Sequence, residues 1–189
     1  MGKFKSSLTA MAVVVALGAC SEQKAPETTS TDVQNTATSQ QAQFDNVLLQ
    51  EFKGPYGGVP AFDKMNLEDL KPALEKAMEL NLKEIEAIAN NEAPPTFENV
   101  IVEMERAGAE LGRVFTYYGI WSSNKSSPEF REIQAEMSPK LSAFFTQITQ
   151  NEKLFERVKT VYESDELKSL TPEEQRITWM TYNSFARNG

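Results

Sequence analysis

The 189-residue sequence contains no histidine and only one cysteine. Catalytic zinc sites in proteins use histidine, usually two or three residues, with carboxylates or cysteine completing the ligand set. Serine and cysteine nucleophiles are normally activated by a neighbouring histidine. The residues of this chain therefore exclude both chemistries in their ordinary form.

Positive charge is also scarce, because 19 lysines and arginines stand against 27 acidic residues and the net charge is −8. Proteins that bind nucleic acids or anionic lipid surfaces electrostatically carry basic patches. The acidic balance argues against both of these partner classes.

Apolar residues make up 40% of the chain and aromatic residues 10%, which is enough for a hydrophobic core. The length predicts one domain.

The first 19 residues have the pattern of an export signal. Lys3 and Lys5 precede an apolar run over residues 8–17, which is too short to cross a bilayer at about 1.5 Å per residue. The run ends in Leu17-Gly18-Ala19-Cys20, which resembles the bacterial lipobox, where the cysteine is lipidated and begins the mature chain. We therefore predict a lipoprotein signal peptide over residues 1–19 and lipidation at Cys20. The alternative is a plain cleavable signal with a chance cysteine.

Residues 20–43 are predicted to be a lipidated cysteine followed by a tether. Several acyl chains at Cys20, at about 0.8 kcal/mol per buried methylene, would hold the protein on a membrane. By resemblance to Gram-negative lipoproteins, Ser21 favours the outer membrane, with the protein facing the periplasm. The following residues are mainly Thr, Ser, Gln, Asn and Ala, a composition that favours disorder because it has little to bury.

Residues 44–189 predict an all-α domain of about five helices in an antiparallel array, preceded by an extended docking segment. The segment over residues 44–62 lacks clean periodicity, and we expect Leu48, Leu49 and Phe52 to dock on the helices. Its glycines and prolines between Gly54 and Gly58 indicate a structural turn. A phosphate-binding loop would need a preceding strand and a Gly-Lys-Ser/Thr ending.

Apolar residues at three- and four-residue steps predict the first two helices. Asn66 is a candidate N-cap, followed by a short turn and a main helix from Pro72. The second helix begins after Thr96 and is expected to continue to Trp121, a length of roughly 37 Å at 1.5 Å per residue. Small residues around Gly108 would allow a neighbouring backbone to come close.

The remaining helices have clear start signals. Ser127-Pro128 begins the third helix, which is expected to kink at Pro139, and Asn151 caps a fourth helix over Glu152–Glu163. The fifth begins with the capping box Thr171-Pro172-Glu173-Glu174, and Gly189 stands where a C-cap glycine would. Aromatic residues near its end require partners: Trp179, Tyr182 and Phe185.

Two sets of side chains are candidate sites, and the first set consists of paired carboxylates. Paired carboxylates could perform acid and base catalysis. In this sequence they are predicted to lie on solvent-exposed helix faces or at helix N-termini, where the helix dipole favours acidic residues. The pairs are Glu103 with Glu105, Asp165 with Glu166, and Glu173 with Glu174. We interpret them as solvated, and no loop resembles a calcium motif. The sequence therefore predicts no catalytic, cofactor-binding or metal-ligating residue.

Four aromatic residues on the second helix could line a peptide groove or belong to the core: Phe115, Tyr117, Tyr118 and Trp121. Aromatic residues at helical spacing are more often core residues, so the core interpretation is favoured. Tyr117 lies off the main apolar stripe, and we expect it to face a cavity.

Several segments of the chain together carry a family resemblance. Two of them are Phe52-Lys53-Gly54-Pro55-Tyr56-Gly57-Gly58 and Thr96-Phe97-Glu98-Asn99. The others keep the same order: residues 59–64, 71–75, 85–91, 100–101, 105–108 and 136–141. In these segments the chain resembles the N-terminal part of the thimet-oligopeptidase family of zinc metallopeptidases, with the nearest resemblance to its peptidyl-dipeptidase branch.

The resemblance implies a far longer protein. In that family a His-Glu-x-x-His helix and a later Glu bind zinc in the C-terminal half, and the N-terminal helices form one wall of a channel for short peptides. Peptidyl-dipeptidases release dipeptides from peptide C-termini. None of the zinc-binding motif is present here, so we expect a truncated frame or fragment that is inactive alone.

Two other functions remain open. The chain could be a free-standing helical lipoprotein that binds peptides or a partner protein without catalysis. It could also be a hydrolase that uses carboxylates alone.

Overall fold

The computed structural model describes residues 46–55 and 58–188. The predicted signal peptide, Cys20, the tether and Gly189 lie outside these residues. The described part contains one isolated antiparallel bridge, between Lys53 and Val59, and no β-strand. The all-α prediction is therefore confirmed. Within the same residues no helix combines the length and the apolar character that crossing a membrane requires.

Among the described residues, five helices of twelve or more residues form the body of the fold, and a sixth helix has one turn. Three short 3₁₀ turns also lie in this part of the chain, at Val47–Leu49, Leu67–Asp69 and Asp165–Ser169. A π-helix over Phe97–Val102 leads directly into the one-turn helix. The helices are α1 (Leu70–Ala89), α2 (Glu103–Arg106), α3 (Ala109–Asn124), α4 (Pro128–Thr149), α5 (Glu152–Glu163) and α6 (Pro172–Asn188).

The apolar stripe of α1 is shared by two buried clusters. Its first half, including Leu70 and Leu74, packs with α3 and α4. Its second half, including Ile85, packs with the π-helix, α5 and α6. Burial of such side chains contributes about 1.5–3 kcal/mol each. Because α1 contributes to both clusters, it fixes the position of every element that lines the surfaces described below.

The N-terminal segment docks as predicted, but it is not extended throughout. Leu48 is fully buried, and Leu49 and Phe52 are partly buried against the same cluster. Residues Val47–Leu49 form a 3₁₀ turn because the Asn46 side chain accepts a hydrogen bond from the Leu48 N–H at 3.0 Å. This local cap, which the periodicity did not indicate, corrects the extended prediction at that point.

The described residues of the glycine-rich stretch, 53–55 and 58–59, close a turn as predicted. The N–H of Val59 donates to the carbonyl of Lys53 at 3.1 Å and closes the turn. Gly58 has φ +94°, and a Cβ there would lie 2.4 Å from the Phe52 carbonyl oxygen. Glycine is required at this position by both the backbone angle and the space.

The first long helix begins at Leu70, two residues before the predicted start. The preceding turn, Leu67–Asp69, is present as expected, but Asn66 makes no side-chain cap bond to the helix. Pro72 is accommodated because it lies in the first helical turn, where backbone N–H groups have no partner within the helix. The predicted sequence of turn and helix is therefore confirmed, and the capping role of Asn66 is wrong.

The prediction of one continuous second helix is wrong. Thr96 caps it as expected, in a reciprocal box with Asn99. The chain then forms the π-helix and α2, and it breaks at Ala107, which is extended, and Gly108, which has φ +79°. The break lets the N–H of Gly108 donate to Glu84 on α1 at 2.7 Å. Side chains of α1, Glu84 and Asn81, come close at Gly108, where a neighbouring backbone was expected.

The predicted starts of the last three helices are confirmed. The Ser127 hydroxyl accepts from Phe130 N–H at 3.2 Å, and the Asn151 side chain accepts from Leu154 N–H at 3.0 Å. The helix that Asn151 caps has the predicted bounds, Glu152–Glu163. The box at the start of α6 is reciprocal, with Thr171 and Glu174 bonding each other's N–H groups. α4 remains helical through Pro139.

Candidate functional site

A groove lies between the second half of α1 and the π-helix with α2. Its volume is about 480 Å³. It has an apolar base and a charged rim, and we name it the α1–α2 groove. The lining residues are Glu84, Ala87, Ile88, Asn91, Glu98, Asn99, Glu103, Arg106 and Ala107.

The charged groups of this groove already have ion-pair or hydrogen-bond partners. Arg106 Nη1 lies 2.8 Å from Glu103 and 3.3 Å from Glu98, and the hydrogen bond to Glu103 raises the pKa of Arg106 above its ordinary value. Glu84 accepts the N–H of Gly108 and, at 3.4 Å, the Asn81 amide. The exposed pairs contribute little to stability, because water screens them. The groove offers shape and hydrogen bonding.

A buried arginine supports the groove from behind. Arg157 of α5 is 8% exposed and donates to the carbonyls of Asn91 at 2.6 Å and Ala93 at 3.0 Å. Its second terminal nitrogen donates to the Asn99 side chain at 3.1 Å. Burial lowers the pKa of Arg157. Because Asn91 and Asn99 stand on opposite sides of the groove, Arg157 sets the separation of its walls.

Reasoning from the sequence missed Arg157, although a signal was present. The buried residues of α5 are Leu154, Arg157, Val158 and Val161. An arginine at a three-residue step from Leu154 lies on the buried stripe. A buried guanidinium must have hydrogen-bond acceptors, and the carbonyls of Asn91 and Ala93 supply two of them.

A second cavity, of about 490 Å³, lies beneath the N-terminal segment and includes Tyr117 in its wall. Tyr117 is 1% exposed, and its hydroxyl accepts the N–H of Ala61 at 2.8 Å. Trp121 is buried in the same cluster, and Phe115 and Tyr118 pack against it. The core interpretation of the four aromatic residues is confirmed, and Tyr117 borders a cavity as expected.

The structure places the carboxylates of the pairs at the surface or against backbone N–H groups. Glu103 and Glu105 are exposed. Glu166 accepts the N–H of Phe97 at 3.1 Å at the start of the π-helix, a capping role that sequence reasoning did not predict. Among the described residues, no group of three or more His, Cys, Asp or Glu could hold a metal ion. These residues therefore do not provide a zinc ligand set.

The sequence that forms this groove matches a domain of a known family. Residues 70–189 match the family model for the neurolysin/thimet oligopeptidase N-terminal domain, and the chain belongs to this family. The α1–α2 groove and α6 lie within the matched part. The Tyr117 cavity is formed partly by residues within 47–53 and 59–64, and these residues precede the part of the chain that matches the family model.

The chain is also similar to named bacterial peptidases. It is 29% identical over 144 residues to a dipeptidyl carboxypeptidase of Salmonella typhimurium, covering 76% of this chain and 21% of that protein. It is 28% identical over 144 residues to oligopeptidase A of Escherichia coli, covering 76% and 20%. The chain therefore spans about a fifth of the length of these relatives.

Proposed function

We propose that this chain is the N-terminal channel-wall region of a zinc-dependent oligopeptidase that releases C-terminal dipeptides from short peptides. The observation that carries the proposal is the family match over residues 70–189, together with similarity to a protein named dipeptidyl carboxypeptidase. The region forms one wall of the channel and performs no catalysis. Its helices admit only short peptides to the channel, and the groove offers hydrogen bonds to the backbone of a peptide that passes through.

Zinc chemistry is assigned to another polypeptide segment. Among the described residues, no group of three or more His, Cys, Asp or Glu could hold the metal. When bound to a His-Glu-x-x-His helix, zinc would activate water for peptide hydrolysis. The present chain is proposed to be inactive without that segment.

The chain alone is expected to release no dipeptide from an N-blocked nonapeptide, with or without zinc. Co-expression with a segment encoded downstream of codon 189 that contains a His-Glu-x-x-His helix should give dipeptide release, measured by chromatography. The control changes the Glu of that motif to Gln, which removes the general base. If the chain alone bound stoichiometric zinc and released dipeptides, the proposal that zinc chemistry belongs to another segment would be refuted. An unrelated downstream sequence would also count against it.

A second candidate is peptide binding without catalysis. The observation in its favour is the α1–α2 groove, whose volume lies in the usual range for ligand sites. Calorimetric titration of the chain with short peptides tests it. Saturable binding, together with a downstream sequence that encodes no peptidase, would favour this function.

We further propose that Cys20 is lipidated and anchors the protein to the outer membrane, facing the periplasm. Changing Cys20 to Ser should remove labelling by radioactive palmitate and move the chain from the membrane pellet to the supernatant. The physical reason is the loss of acyl chains, each contributing about 0.8 kcal/mol per buried methylene. Ser21→Ala is the control and should retain the label. Unchanged labelling and pelleting of the Cys20→Ser chain would contradict the anchor.

A further inference from the structure

The Tyr117 cavity has no part in the proposed function, although its shape is that of a ligand site. Its volume, about 490 Å³, lies in the lower half of the usual range for such sites, which favours a small ligand. Part of the wall is aromatic, because the rings of Phe52 and Tyr117 meet edge to face with centres 5.9 Å apart. The lining also includes two carboxylates and two ammonium groups, those of Glu51, Asp63, Lys53 and Lys64.

Hydrogen bonds hold the walls of this cavity in place before any ligand binds. On one side, the Arg113 guanidinium of α3 donates to the carbonyl of Leu49 at 3.0 Å. On the other side, the N–H of Ala61 donates to the Tyr117 hydroxyl at 2.8 Å. The isolated antiparallel bridge joins the two sides. A ligand therefore meets a preformed site and loses little affinity to ordering it.

The Tyr117 hydroxyl has a hydrogen bond left to make in this cavity. A phenolic hydroxyl both donates and accepts. This one accepts the N–H of Ala61, and no acceptor for its own proton lies among the described residues. Tyr117 is 1% exposed, and a buried donor without an acceptor is unfavourable. An oxygen atom of a bound ligand would accept this proton.

The four charged side chains of the lining are available to a ligand. All four residues are exposed. In the part of the chain that the structure describes, none of them has an ion-pair partner. Two charges of each sign complement a ligand that carries both signs, whereas a ligand with one sign meets like charges as well as opposite ones.

We propose that the Tyr117 cavity binds a zwitterionic dipeptide with an apolar side chain. The carboxylate of the dipeptide would accept the Tyr117 proton and pair with one of the two lysines. Its ammonium group would pair with Glu51 or Asp63, and its apolar side chain would pack on Phe52. The site goes beyond the proposed function. The choice of a dipeptide among small zwitterions rests on that function, because a dipeptide is the product of the proposed reaction.

Calorimetric titration of the full chain with alanyl-phenylalanine tests the class of ligand. We expect saturable binding of one dipeptide per chain. The matched ligand is the same dipeptide with an acetylated N-terminus and an amidated C-terminus, which has no terminal charge. It should bind about tenfold more weakly. Equal affinity of the blocked dipeptide, or of free phenylalanine, would overturn the assignment to zwitterionic dipeptides.

The variant Tyr117→Phe tests whether the dipeptide binds in this cavity. It should weaken binding about tenfold, because a hydrogen bond to a carboxylate is lost. Tyr118→Phe is the matched control and should bind as the unchanged chain does. Tyr118 lies on the same helix, and its hydroxyl accepts from Gln134 at 3.0 Å and does not line the cavity. Circular dichroism checks that both variants remain helical.

A second variant tests the charges without removing a buried contact. Lys53→Gln combined with Lys64→Gln should weaken dipeptide binding about tenfold and leave the affinity for the blocked dipeptide unchanged. Lys83→Gln combined with Lys168→Gln is the control. These side chains are 64% and 80% exposed and lie outside the cavity. Equal affinities in the two double variants would overturn the proposed pairing.

The outcomes for this site differ from those for the proposed function. Absence of saturable dipeptide binding, or binding that Tyr117→Phe leaves unchanged, would overturn the site. Dipeptide release by the two-component peptidase does not require this cavity, so the proposed function survives that result. If the cavity binds the dipeptide and the two-component peptidase releases none, the proposed function fails and the binding site stands.

Discussion

Replacing Arg157 with Leu is expected to lower the free energy of unfolding by about 3–5 kcal/mol. The guanidinium donates three hydrogen bonds, to the Asn91 and Ala93 carbonyls and the Asn99 side chain. Bonds from a charged donor contribute about 1.5–3 kcal/mol each, and they are not fully additive. Leu recovers some apolar packing but leaves three acceptors without their donor.

The measurement is urea unfolding of the full chain, followed by circular dichroism. Arg106→Leu is the matched control, because Arg106 lines the same groove but has a side chain that is 63% exposed. Its effect should stay within about 0.5 kcal/mol. Arg157→Lys should lie between the two, since one ammonium group cannot span the same acceptors. A loss below about 1 kcal/mol for Arg157→Leu, with an unchanged m-value, would refute the supporting role.

The sequence was sufficient to predict helix starts wherever the signal is local. Asn151 bonds to a residue three positions along the chain, as do the partners of the box at Thr171. Such contacts depend on residue types within one turn of helix, so a short stretch of sequence contains the whole cause. The same reasoning explains the correct bounds of α5.

The break before α3 depends on contacts that are distant in sequence. Gly108 donates to Glu84, a residue 24 positions earlier, and its Cα faces the side chain of Asn81. In the sequence, Gly108 is one of several small residues on an apolar stripe, which continues through the break. Periodicity therefore predicted one helix where tertiary contacts give two.

The candidate site also depends on contacts between residues that are distant in sequence, so the sequence predicted it only in part. The groove is formed by residues 84–91 of one segment and 98–107 of another, and Arg157 joins them from a third. The sequence indicated exposed acids on the second segment, but not that this segment faces residues 84–91 across a groove.

Two of the three aromatic residues of α6 have the packing partners that the sequence led us to expect. Tyr182 stacks on Tyr162, with ring centres 4.3 Å apart, and Phe185 stacks on Phe155. Trp179 remains at the surface.

Gly108→Ala is expected to destabilise the chain by about 2–3 kcal/mol, the sum of two effects. The left-handed backbone angle, φ +79°, costs a residue with a Cβ about 1–2 kcal/mol. The new Cβ would also lie 3.0 Å from the Asn81 amide nitrogen and 3.1 Å from its Cγ. Asn81 must then shift away from Glu84, the residue that binds the N–H of Gly108.

Gly112→Ala is the matched control, and its effect should have the opposite sign. Gly112 lies inside α3, and a Cβ there meets nothing within 4 Å. Alanine in a helix interior is favoured over glycine by about 0.5–1 kcal/mol, so thermal and urea unfolding should show a gain. If Gly108→Ala also stabilised the chain, the backbone at Gly108 would have to be helical. The continuous helix that the apolar periodicity predicts would then be correct, and the contact between Gly108 and Glu84 would be lost.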